Sequence, residues 1–109
     1  MQRIAQIVGL QPEAVTRYKE LHASVWPDVL ATIAACRITN YSIFLREPEL
    51  LLIAYFEYTG DDLAADQARM AADPVTQEWW TITMPLQQPL DGLAEGEWWA
   101  PAREVFHVD

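Results

Sequence analysis

The chain is poor in the residue types that most often announce a function. It has one cysteine, Cys36, so no disulfide can form within it. With that single thiol and two histidines, His22 and His107, a structural Cys/His zinc site is out of reach. Its four glycines make no phosphate-cradling loop, and there is neither a nucleophile elbow nor a His-x-x-x-His pair. Seven basic residues face sixteen acidic ones, a formal charge of −9. That balance argues against nucleic acid and anionic membranes as partners, because both attract Lys/Arg patches. The apolar stretch 4–10 is interrupted by Gln6. It is too short to span a bilayer and poor as a signal peptide. A cytoplasmic protein is the expectation.

What the chain does hold is apolar and aromatic. Hydrophobic residues make up 51% of the 109 positions, with five Trp, four Tyr and three Phe. This is enough for one ordinary core, so a single domain over residues 1–109 is expected. Residues 3–8, rich in Ile and Val, predict a first strand. Gly9-Leu10-Gln11-Pro12 breaks it, and Pro12 suits a first helical turn. Val15, Tyr18, His22, Val25, Trp26, Val29 and Ile33 then recur at helical spacing, with Pro27 predicting a kink or restart. Residues 40–45 alternate, placing Tyr41, Ile43 and Leu45 on one side. Glu47-Pro48-Glu49 makes a turn, and the nearly continuous apolar run 50–58 predicts a buried central strand. Gly60-Asp61-Asp62 reads as a loop ending in a helix N-cap before an alanine-rich helix at 63–72. Asp73-Pro74 interrupts it, and a second helical piece carries Trp79-Trp80. Pro85, Pro89, Gly92, Gly96 and Pro101 mark a long irregular segment, after which 103–108 predicts a closing strand. The order β-α-β-β-α-β is an α+β, ferredoxin-like pattern. Two helices cover one face of such a sheet. If the other face is apolar it also needs a cover, which a second copy can supply.

Tyr18 and His22 are the most informative pair. Four residues apart on a helix, they share a face, about 5–6 Å between Cβ atoms. One is a phenol and the other the side chain that titrates near neutral pH. Facing a pocket, they form a proton-transfer site; facing solvent, they are ordinary surface residues. Tyr41 sits on an alternating strand, able to project toward the same helix face or simply to pack across strands. Trp79 and Trp80 point about 100° apart on a helix, so one can anchor the core while the other lines an opening. An indole face suits the C–H face of a sugar as well as any apolar wall. Trp98-Trp99 is a second pair, read as a lid or an interface. Glu20, Asp28 and Glu57 are each possible carboxylate partners for His22, and the spacing selects none. His107 reads as a structural or interface residue.

Taken together, Tyr18-x-x-x-His22-x-x-x-Trp26-Pro27, Asn40-Tyr41-x-Ile43, Phe56-Glu57, Trp79-Trp80 and the ending Glu104-Val105-Phe106-His107 resemble the L-rhamnose mutarotase family over nearly the whole chain. The resemblance implies a homodimer of dimeric α/β-barrel type. It implies interconversion of the α and β anomers of L-rhamnose without metal or organic cofactor. It implies His22 as catalytic proton donor and Tyr18, Tyr41, Trp79 and Trp80 as sugar contacts. Residues 85–102 match no motif of that family, which leaves other 6-deoxy sugars open as substrates. Two rival readings share the architecture: a cofactor-independent dimeric α/β-barrel monooxygenase, and a small-molecule-binding domain without turnover.

Overall fold

The computed structural model describes all residues, 1–109. In chain order the elements are β1 (Gln2–Leu10), α1 (Val15–Ala23), α2 (Pro27–Ala35), β2 (Ile38–Arg46), β3 (Leu51–Tyr58), α3 (Leu63–Ala72), α4 (Pro74–Thr83), β4 (Gln87–Gln88) and β5 (Ala100–Ala102). Short 3₁₀ turns at Pro12–Ala14 and Met84–Leu86 lead into α1 and β4. The sheet is antiparallel in the order β2-β3-β1-β4, and β5 pairs β1 further along the edge that β4 occupies. This is the ferredoxin-like arrangement.

Local chemistry explains the breaks. The long apolar stripe on either side of Pro27 forms two helices, because α1 ends at Ala23 and Pro27 opens α2, where its missing N–H costs nothing. The Asp62 carboxylate accepts from the Ala65 N–H at 3.1 Å and caps α3. Asp73 caps α4, accepting from both the N–H and the hydroxyl of Thr76 at 2.9 Å.

Register divides the sheet into two faces. Val8 pairs Leu52, which pairs Leu45; Ile4 pairs Phe56; Ile38 pairs Tyr58. These residues lie on the helix side and build the core with Leu10, Ala14, Tyr18 and Ala54. The opposite face carries Ile7, Phe44, Leu51, Ile53 and Tyr55, and the chain's own helices do not cover it. Burial along β3 therefore alternates strictly, and the strand is central in order but buried on one side only.

The closing strand differs from expectation. Residues 103–109 form no strand and are exposed throughout. The edge of β1 is instead filled by two short pieces, with Leu10 opposite Gln87 and Ile7 opposite Ala100. Pro101 has no N–H to give to a ladder and is tolerated because β5 is an edge.

One irregularity interrupts the alternation of β2. Between Thr39 and Ser42 the register slips, so Asn40 and Tyr41 together oppose Phe56. Asn40 takes a left-handed backbone, φ 47°, which asparagine tolerates better than most residues. Tyr41 shares the helix side with Ile43 and Leu45, as alternation expects, and its ring packs on Phe56 with centroids 5.3 Å apart; the extra residue lets Ile38 face that side as well.

Candidate functional site

α1 lies over the β1–β3–β2 part of the sheet, and a cleft of about 130 Å³ opens there. Leu10, Leu52, Ile43 and Leu45 supply its apolar walls; Tyr18, His22 and Lys19 of α1 supply its polar groups. Tyr18 is 5% exposed, anchored in the core cluster of Val8, Leu10, Ala14 and Leu52.

His22 sits one helical turn on. Its ring stacks on Tyr18 with centroids 4.1 Å apart and planes at 23°. Trp79 of α4 meets the same imidazole edge-on at 5.4 Å and Trp26 edge-on at 5.1 Å. Four aromatic rings, from α1, α4 and the residue that caps α2, thus form one continuous row of contacts. The His22 Nδ1 lies 2.9 Å from the Tyr18 carbonyl oxygen. A carbonyl can only accept, so Nδ1 carries the proton and Nε2 presents its lone pair. Burial among these rings lowers the His22 pKa from its ordinary 6.5, with the carbonyl hydrogen bond opposing in part. The ring is therefore mostly neutral at pH 7, a base at Nε2.

The phenols are held in the opposite sense. Burial raises the Tyr18 pKa, against the pull of a hydrogen bond from Gln87. Tyr41 is 38% exposed as a residue and otherwise buried. That burial, with the Tyr18 hydroxyl as electrostatic neighbour, pushes it up to about 12. Both stay protonated across the working pH range and can donate.

The structure brings Tyr18, His22 and Trp79 into contact and sets Tyr41 within electrostatic reach of Tyr18. Trp79 is the core anchor of the tryptophan pair, at 6% exposure. Trp80 is half-buried and makes no ring contact with His22 or Tyr18. None of the three candidate carboxylates partners His22. Glu20 and Asp28 are exposed. Glu57 lies on the other sheet face, where it accepts from the Tyr55 hydroxyl at 2.7 Å and from the Asn40 amide at 3.0 Å. Those two bonds hold its carboxyl below the usual range. His107 is exposed, its ring 2.8 Å from the Asp109 carboxylate. Trp98 and Trp99 pack against the core cluster that contains Tyr18. Sequence reasoning missed Lys19 on the cleft rim and the buried Gln87. Trp26 carried a signal in its i, i+4 spacing from His22; Gln87, in a Gln-Gln pair after a proline, carried none.

The chain is similar to known proteins along its whole length. The family described as L-rhamnose mutarotase matches residues 3–108. The chain is 32% identical over 112 residues to the L-fucose mutarotase of Xanthomonas campestris, covering 97% of this chain and 87% of that one. It is 28% identical to the L-rhamnose mutarotase of Lactiplantibacillus plantarum over the full length of both. The crystal structure of an L-rhamnose mutarotase from Formosa agariphila superposes with a TM-score of 0.80 over 100% of both chains at 24% identity, a likeness of fold. The chain thus belongs to the L-rhamnose mutarotase family of carbohydrate isomerases.

Proposed function

We propose that residues 1–109 act as one domain that interconverts the α and β anomers of L-rhamnose, or of a closely related 6-deoxy sugar, with His22 as the proton-transfer group. Tyr18, Tyr41, Trp79 and Trp80 contact the sugar. The observation that carries this reading is the Tyr18–His22 stack on the cleft, with Nδ1 committed to a backbone carbonyl and Nε2 left for chemistry.

In ring opening the neutral Nε2 takes the proton of the anomeric hydroxyl, and the resulting imidazolium gives it to the ring oxygen. Both oxygens are bonded to the anomeric carbon, so one nitrogen reaches each. The bond from that carbon to the ring oxygen breaks, and a carbonyl forms at the anomeric oxygen. Rotation about the adjacent C–C bond presents the other carbonyl face. The same proton transfers in reverse then close the ring. No net proton is gained or lost. A lowered pKa serves both halves, since it keeps the base free and makes the imidazolium a stronger acid. Tyr18 and Tyr41 orient sugar oxygens as donors, and the indoles offer apolar faces to its C–H groups. The similarity to an L-fucose mutarotase supports a 6-deoxy sugar as the substrate class.

Magnetisation exchange between the two anomeric protons of L-rhamnose, measured by NMR, tests this. Added protein should accelerate exchange, and His22→Ala should lower that acceleration by about 10²–10⁴. An unchanged rate in the variant would reject His22 as the proton carrier.

A homodimer in the cytoplasm is the proposed working form. Its support is the uncovered apolar sheet face, where Phe44 is 60% exposed beside Ile53 and Ile7. Glu104 pairs with Arg3 of β1, and Val105, Phe106 and Val108 after it are further exposed apolar side chains.

A further inference from the structure

Gln87 is buried, at 6% exposure, and both polar atoms of its side-chain amide are bonded. The Trp98 indole N–H donates to its Oε1 at 2.8 Å, and its Nε2 donates to the Tyr18 hydroxyl at 3.3 Å. The direction of this chain is not arbitrary. An indole nitrogen can only donate, so the amide oxygen must face Trp98 and the amide nitrogen must face Tyr18. A phenol that accepts from Gln87 keeps its own proton for another acceptor. Tyr18 is one of the residues that line the cleft, so an oxygen that enters the cleft is the natural acceptor for that proton. The backbone of Gln87 is fixed as well, through strand pairing with Leu10 and through the Gln11 Nε2, which donates to the Gln87 carbonyl at 3.4 Å. The Gln11 amide also reaches the Gln88 Oε1 at 2.7 Å.

We infer that Gln87, oriented by Trp98, is a positioning residue that sets the hydrogen-bond polarity of Tyr18, so that the phenol donates to the sugar. This rests on the proposed role of Tyr18 as a sugar contact and adds a support built from the segment after α4. An amide free to flip would present its oxygen to the phenol about as readily as its nitrogen. Tyr18 would then spend its proton inside the protein, and its oxygen would meet the sugar as an acceptor only.

Gln87→Glu tests the polarity with little change of shape. A carboxylate accepts from Trp98 and from Tyr18 alike, which reverses the second bond. Anomer-exchange kinetics should show KM for L-rhamnose raised about tenfold, with a smaller change in kcat. Trp98→Phe keeps the ring and removes the orienting donor; a rise of about two- to fivefold is expected, and this variant brings no new charge into the core. In a Tyr18→Phe background the Gln87→Glu penalty should vanish, because the phenol it acts through is gone. The same KM penalty with and without the Tyr18 hydroxyl would overturn the inference. A second readout is independent of turnover. With ring-labelled tyrosine, the Tyr18 titration followed by NMR should move upward in Gln87→Met, since the donated bond that favours the phenolate is lost. An unmoved Tyr18 titration would also overturn it. If instead Tyr18→Phe leaves sugar affinity intact while the titration shifts as stated, the polarity assignment stands and the sugar-contact reading of Tyr18 fails.

Discussion

The two nitrogens of His22 have different fates, and pH separates them. Nδ1 is tied to the Tyr18 carbonyl in any protonation state; only Nε2 gains or loses a proton. Its pKa lies below 6.5 in the folded chain, so kcat/KM should rise with pH through a value under 6.5 and then stay level toward pH 9. Stability carries the same sign. Between the lowered folded value and 6.5 the unfolded chain binds this proton and the folded chain does not, so stability falls as pH drops through that window. Urea midpoints at pH 7.5 and 5.5 should differ more in the wild type than in His22→Gln. The tryptophan pair divides along similar lines. Trp79→Ala empties a buried site touching Trp26 and His22 and should cost about 3–5 kcal/mol by urea unfolding. Trp80→Ala should cost much less stability and act mainly on KM. Tyr18 and His22 were legible in the sequence because a helix converts a spacing of four into contact. Gln87 was not, because its partner lies 69 positions away and only strand pairing brings them together.

At the scale of elements, a single bulge lets Ile38 and Tyr41, three positions apart, face the same side of the sheet. Asn40→Val should cost about 1–2 kcal/mol, because a β-branched residue resists the left-handed backbone there, while Asn40→Gly should preserve the fold. Tyr41 fluorescence or its ring NMR shifts on Phe56 should change in the valine variant and hold in the glycine variant. The helices, their caps and the first three strands could be read from pattern, since Pro27, Asp62 and Asp73 act through local chemistry alone. The closing strand could not. Alternating Val105, His107 and the apolar Phe106 mimic a strand, yet the edge of β1 is taken by Gln87–Gln88 and by Ala100–Ala102, pieces too short and too proline-marked to signal pairing. Which segment wins an edge depends on register with β1, a property that the segment does not itself contain.

For the whole molecule, the uncovered face is the feature with the largest energetic consequence. The nearly continuous apolarity of residues 50–58 suggested burial on both sides of β3, and the isolated chain provides it on one. A partner copy on the Ile7, Phe44 and Ile53 surface would supply the other. Ile53→Glu should therefore convert the protein to monomers in light scattering after size exclusion, with a lower and concentration-independent melting temperature. A wild-type monomer at micromolar concentration would reject the dimer.

The excursion between β4 and β5 has a different implication. Both of its ends are stitched to β1, and the backbone between turns at Gly92 and Gly96, each at positive φ with open space around it. Ahead of Trp98 it should accept inserted or exchanged residues while the strand ladder holds its register. Selection for a new pyranose, natural or in the laboratory, has a tolerant place to begin.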